Sequence, residues 1–364
     1  MREPQDLKLL AALRQALQEQ WPAFADRALE LLKAKGLAHD HVRLLGTGYL
    51  ARIPKQSQMR LNAADNLAYQ QACFDRISPA GYAPGCIKLL QPGTSLPRGA
   101  LIVQEIVGRS ARLPDDLCLF AQSMAAMHSM ALPLDNAFAP LIHAADPLQA
   151  LCDEVQTQGM YLAQAHLEPT VLRHIQDELA QFQALCSAAS RPQRRLIAFD
   201  GHPGNFVIAR QSDGSEKAYL VDLEKCRYSY PSLDLAHATL YTSTTWDVDS
   251  HTILNLQQVM ATYHAWEQHA GAALAADAAI WHLPLRRAMW LWSVTWCAKW
   301  RVASRAAASE RVDGEDWSDE NLDPALAAHV RSRVDHYLSV EGINCVLSEF
   351  ELLAKFMGLE PKIA

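Results

Sequence analysis

Apolar positions change period several times along the chain. Leu10, Leu13 and Leu17 recur at helical spacing, and Pro22 stands where it would open a second helix running to Gly36, so residues 6–35 predict two helices. The pattern then shortens. His41 to Pro54, HVRLLGTGYLARIP, places a Gly-Thr-Gly turn between two strand-like runs. Ala64 to Ile77 returns to helical spacing with Leu67, Phe74 and Ile77 on one face, and Leu101 to Val107 is an apolar strand ending at Gly108. Beyond Gly108 the helical period dominates, over Asp115–Met130, Pro147–Ala163, Pro169–Ala188, Thr252–His269 and Pro284–Ala308. One β island interrupts it, with strands at Leu196–Phe199, Phe206–Ala209 and Ala218–Val221, the last two joined by an Asp213-Gly214 turn. These elements predict an α+β chain. Residues 1–107 form a small sheet-bearing lobe with a helical N-terminal extension (6–35), and 108–364 form a large, mainly helical lobe.

Length agrees with that division, because 364 residues suit two lobes better than one. Apolar residues make up 50% of the chain, which excludes disorder as its main state. The 33 basic and 40 acidic residues give a net charge of -7, which argues against a nucleic-acid partner. Eight scattered cysteines include no CxxC pair, so a zinc ribbon or redox motif is not expected. MREPQDLKLL lacks a signal peptide's apolar run, and Ala288–Ala298 is too short for the roughly 20 apolar residues that span a bilayer. A cytoplasmic protein with reduced thiols and no membrane partner is the expectation.

Chemistry concentrates in the β island, LIAFDGHPGNFVIARQSDGSEKAYLVDLEK. Asp200 leaves a strand, Asn205 follows five residues later, and after a hairpin Asp222 ends the next strand. In phosphoryl transfer an Asp so placed orients the attacking hydroxyl or takes its proton, while an Asn and a second Asp hold magnesium against the phosphates. Pro203 and Gly204 supply the tight loop that lets both side chains face one point.

Asp200-Gly-His-Pro-Gly-Asn205 resembles the catalytic loop of the aminoglycoside phosphotransferase and choline kinase-like family, which has the bilobal protein-kinase-like fold. Val221-Asp-Leu-Glu224 and Pro231-Ser-Leu-Asp-Leu-Ala236 resemble that family's metal segment and trailing helix. Ala121–His128 resembles its small-residue helix, and Val103–Gly108 its hinge; the match runs in order over about residues 41–245. The resemblance implies an ATP- and magnesium-dependent kinase acting on a small-molecule hydroxyl. Its catalytic loop would be 198–206, with Asp200 catalytic, and its metal segment 221–224, with Asn205 and Asp222 as magnesium ligands. Glu224 would contribute near the metal, Asp234 would order the loop, His202 would brace it, and His128 would pack beside it. Arg52 falls where the family places its phosphate-binding cation, with Lys55 as the nearby alternative. The backbone at Gln104 and Ile106 would meet the adenine, and Gly46 and Gly48 would let the backbone approach phosphates, although any hairpin turn shows two such glycines.

Two departures motivate a second reading, a pseudokinase-like binding module with little or no turnover. Family members usually carry His-Gly before the loop Asp, where this chain has Ala198-Phe199, and Gln70 or Gln71 stands where a helix Glu is expected. Trp292, Trp296 and Trp300, with Trp290 alongside, read either as a core stripe or as an aromatic wall for a cationic acceptor. Seven acids between Glu310 and Asp323 read as a solvated loop or as a lid that collects such an acceptor. Aminoglycosides, choline or ethanolamine, homoserine, thiamine, sugars and amino-sugars all remain open as acceptors.

Overall fold

The computed structural model describes residues 3–33, 36, 38–134, 137–305 and 324–358; the acidic run at 310–323 lies outside them. The chain divides into two compact units, Met1–Val107 with Ala306–Ala328, and Gly108–Arg305 with His329–Ala364.

The first unit is built on a five-stranded antiparallel sheet. Helix α1 (Glu3–Gln20) precedes strands β1 (Leu29–Leu31), β2 (His39–Leu44) and β3 (Tyr49–Pro54); helix α2 (Ala63–Ile77) and strands β4 (Cys86–Leu90) and β5 (Ala100–Gln104) follow, in sheet order β1-β2-β3-β5-β4. Leu13, Ala16 and Leu17 of α1 join Val42, Leu44, Ala51, Ile53, Leu90 and Ile102 in one buried core. Asn62 caps α2 by accepting from the Asp65 N–H, which fixes where that helix starts.

The second helix expected to run to Gly36 does not form. Pro22–Phe24 makes a single 3-10 turn, on which Trp21 stacks against Phe24 at 3.8 Å, and Leu29–Leu31 becomes an edge strand paired with Val42–Leu44. Apolar residues two apart serve that sheet edge, and strand pairing overrides local helical spacing.

In the second unit, β6 (Arg109–Ser110) starts the chain. Helices α3 (Leu117–His128), α4 (Pro147–Gly159) and α5 (Pro169–Cys186) lead to β7 (Arg195–Ile197), β8 (Phe206–Arg210), β9 (Glu216–Leu220) and β10 (Arg227–Ser229). The strands form a β6-β8-β9 sheet and a β7-β10 pair. The remaining helices are α6 (Pro231–Thr239), α7 (Tyr241–Thr244), α8 (Leu256–Ala270), α9 (Ala272–Ala279), α10 (His282–Ala303), α11 (Pro324–Tyr337), whose residues up to Ala328 belong to the first unit, and α12 (Val340–Phe356). Helix α10 packs against α4, α5 and α6 and buries Trp290, Trp292 and Trp300. The tryptophan stripe is therefore mainly core, with Trp292 also reaching the loop described next. Gly108 has no room for a side chain, since a Cβ there would stand 2.4 Å from the Ile208 carbonyl.

Candidate functional site

The loop between β7 and β8 is held from below by one buried carboxylate. Asp234, in the first turn of α6, accepts the backbone N–H of Ala198 at 2.7 Å and of Phe199 at 2.7 Å. Its Oδ2 also lies 3.1 Å from His128 Nε2. Trp266 Nε1 donates to His128 Nδ1 at 2.9 Å, so the ring proton sits on Nε2 and points at Asp234. The relay explains how the chain accommodates Phe199, whose φ of 64° is left-handed and favours glycine. Asp234 holds that backbone in place, and the Phe199 ring is seated between the Arg227 guanidinium, 3.6 Å from its centroid, and Trp292, edge-on at 5.2 Å.

Asp200 follows immediately. Its Oδ2 lies 2.7 Å from Lys225 Nζ, its Oδ1 lies 3.7 Å from His237 Nδ1, and its backbone carbonyl accepts the Asn205 side-chain amide at 2.7 Å. Burial would push this carboxyl up, but Lys225 and the nearby His202 and His237 outweigh it and hold it well below the usual carboxylate range. Burial dominates at His237 and lowers its pKa to about 4, so the ring is neutral near pH 7 and donates from Nδ1 to the Phe199 carbonyl at 3.1 Å. His202 Nδ1 accepts the Gly204 N–H at 3.2 Å, while its carbonyl accepts from Asn205 at 3.0 Å, closing the Pro203–Asn205 turn. Gly204 is required by space: a Cβ there would meet Asp247 Oδ2 at 2.6 Å and His202 Cε1 at 2.9 Å.

Val221 N–H donates to the Asn205 carbonyl at 2.9 Å, tying the loop's end to the segment that carries Asp222. Carboxylate oxygens of Asp222 and Glu224 lie within 4.8 Å of each other. The Asn205 amide nitrogen is engaged with Asp200, which leaves its oxygen as the atom available to a cation. Carboxylates and an amide oxygen are donor types that magnesium takes. Asp200, Glu224 and Asp222 all act on Lys225, whose pKa burial would lower and their charges raise.

Several residues here carried no readable sequence signal. Lys225 directly follows the Asp222-Leu-Glu224 segment, yet no spacing rule pairs it with Asp200. His237 offers a weak signal, standing three residues after Asp234 and so on a neighbouring helix face. Glu154 of α4 is invisible in the sequence. It accepts from Arg227 at 2.8 Å and from the Trp292 indole at 2.7 Å.

The candidates in the first unit sit on adjacent strands. Gly46 and Gly48 have φ of 74° and 73° in the β2–β3 loop, with open space where a Cβ would stand. Glu105 N–H donates to the Gly48 carbonyl at 2.8 Å, and Gln104 N–H to the Gly85 carbonyl at 2.9 Å; Ile106 follows on. Arg52, in mid-β3, is buried at 3% exposure. Its guanidinium lies 5.4 Å from the Phe74 ring centroid and 3.4 Å from His41. Lys55 lies 3.5 Å from Asp40. Gln70, at the helix position expected to hold a carboxylate, is buried and bonded to His39 at 3.0 Å.

Comparison with known proteins bears on the whole arrangement. No curated protein matches the sequence. Among solved structures, the chain is similar to a choline/ethanolamine kinase family protein from Mesorhizobium loti, with 16% identity and TM-score 0.55 over 94% of this chain and 99% of that one. It is also similar to an ethanolamine kinase from Plasmodium vivax, with 10% identity and TM-score 0.59 over 92% and 87%. The GDP and kanamycin complex of APH(2")-IIia matches with 15% identity and TM-score 0.56 over 87% and 97%. These likenesses show the protein-kinase-like fold. The model of the phosphotransferase enzyme family matches residues 30–271, a span that holds the loop, the Asp222 segment and α6. On that match, which covers well over half of its length, the chain belongs to the phosphotransferase enzyme family.

Proposed function

We propose that the protein moves the γ-phosphoryl group of ATP to a hydroxyl of a small molecule, assisted by magnesium. One observation carries this reading: the loop presents an ionised Asp200 while the same backbone carbonyl turns Asn205 so that its oxygen is left for a metal. Asn205 and Asp222 would hold magnesium, with Glu224 beside them. Bound there, the metal would neutralise charge on the phosphates.

Asp200 serves to orient the acceptor hydroxyl more than to remove its proton. A carboxylate held far below its usual range is a weak base, and a loose phosphoryl-transfer transition state asks little of one. Most of the rate then comes from positioning and fixed charge. For the nucleotide, the reading assigns Arg52 to the phosphates, the backbone at Gly46 and Gly48 to the same groups, and the backbone at Gln104 and Ile106 to the adenine. His202 and Asp234 act only through the loop. Among the described residues no helix is long and apolar enough to cross a membrane.

Asp222→Ala should abolish magnesium-dependent ATP binding, read by calorimetry, and Asp200→Asn should keep that binding while turnover falls by about a thousandfold or more. Wild-type magnesium-ATP affinity in Asp222→Ala would refute the assignment. The second reading, a binding module without turnover, is favoured by Phe199 at a left-handed position and by Gln70 bonded to His39. A magnesium-dependent ATP thermal shift with no ATP consumption over a panel of hydroxyl acceptors would support it.

A further inference from the structure

We propose that the acceptor carries no positive charge beside its reacting hydroxyl, and that Lys225 is the specificity-determining residue that excludes cationic acceptors. This rests on the phosphotransferase reading above and names the substrate class of that site.

An ammonium-bearing acceptor needs carboxylates to pair with or aromatic faces to sit on. At Asp200 and the nearby Glu154, Phe199 and Trp292, the chain's own cations already occupy each carboxylate and each ring. Lys225 Nζ lies 2.7 Å from Asp200 Oδ2 and 5.2 Å from the Trp292 ring centroid. Arg227 stands 3.6 Å from the Phe199 centroid and 2.8 Å from Glu154, whose other oxygen accepts the Trp292 indole at 2.7 Å. Strand pairing enforces this: Arg227 of β10 is opposite Ile197 of β7, two residues before Phe199, so it reaches that ring, and Lys225 lies two residues before Arg227.

The pairs also stay charged. Lys225 Nζ and Asp200 Oδ2 face each other at 2.7 Å as opposite charges. Burial works against Glu154, and Arg227 with the Trp292 indole outweighs it and holds the acid ionised. An incoming ammonium would meet a fixed like charge at the very carboxylate that must receive its hydroxyl. An uncharged or anionic hydroxyl compound meets no such repulsion. It can approach Asp200 Oδ1, because the nearby His237 proton is given to the Phe199 carbonyl. Lys225 retains donors for its other oxygens.

The test compares choline with its uncharged isostere, the alcohol in which a tert-butyl group replaces the trimethylammonium. Binding to the full chain is measured by saturation-transfer NMR for wild type, Lys225→Gln and Lys225→Arg. Wild type should bind the alcohol at least about tenfold more tightly than choline, Lys225→Gln should lose most of that discrimination, and Lys225→Arg should keep it. A wild-type preference for choline overturns the proposal. So does a ratio unmoved by Lys225→Gln, which is also what an amine bound through Asp247 beside Gly204 would give. Absence of binding of either probe to all three proteins overturns it as well. Where Lys225→Gln fails to fold, the wild-type ratio decides. Magnesium-ATP binding by wild type, measured separately, reports on the phosphotransferase reading, so the two failures are distinguishable.

Discussion

Two loops of this molecule achieve unusual backbone by opposite means. In the β2–β3 loop, Gly46 and Gly48 adopt left-handed φ with open space around them, and Thr47 steadies the turn through a 2.6 Å hydrogen bond to the Leu44 carbonyl. In the 198–206 loop the left-handed position is occupied by Phe199, and a buried relay from Trp266 through His128 to Asp234 holds it there. The first loop is permissive because glycine costs little in that conformation; the second is rigid because its backbone donors are satisfied by a carboxylate with no exposure to solvent. A permissive loop can adapt to a ligand's shape. A pinned loop can keep a carboxylate within tenths of an ångström of one place, which is what positioning chemistry requires.

Breaking the relay should have the largest effect. Asp234→Ala strands two buried backbone N–H groups and the His128 donor, and should cost about 3–5 kcal/mol in denaturant unfolding, with turnover lost as the loop relaxes. Recovery of the wild-type midpoint by that variant would show that the loop holds itself. Next comes pH. His237 is neutral when folded, with a pKa near 4 against 6.5 when exposed, so between about pH 6.5 and 4 the unfolded chain binds the extra proton. Stability should therefore fall as pH falls through that window, by at most on the order of 3 kcal/mol, and His237→Gln should flatten the profile there. The depressed Asp200 adds nothing in that window, because its contribution persists until the pH drops below the ordinary carboxylate range. The smallest effect belongs to the permissive loop. Gly46→Ala meets no atom within 4 Å and should cost only about 1 kcal/mol of backbone strain, read as a few degrees of melting temperature. A larger loss would mean that the loop is packed more tightly than its open surroundings imply.

Much of this was legible from residues alone, where the signal was local. Helix α2 starts one residue before its expected position, because Asn62 caps it and the apolar spacing runs unbroken to Ile77. The turn at Asp213-Gly214, the strand beginning at Phe206 and the Pro203–Asn205 turn follow from chemistry within a few residues. The edge strand Leu29–Leu31 was not legible, since its partner lies 13 residues away and its own residues suit a helix equally well. Nor was the ion pair of Asp200 with Lys225, 25 residues apart, or the bond of Glu154 with Trp292, 138 residues apart.

The sequence by itself determined which side chains stand on the loop, because φ restriction at Pro203, the small size of Gly204 and strand alternation are properties of neighbours. Tertiary structure alone decided the electrical character of that loop. A carboxylate's charge state and what it attracts depend on what is buried against it, and burial joins residues that the chain keeps far apart. Lys225, His237 and Asp234 reach the loop from β10's approach and from α6, and together they make Asp200 a fixed, compensated charge.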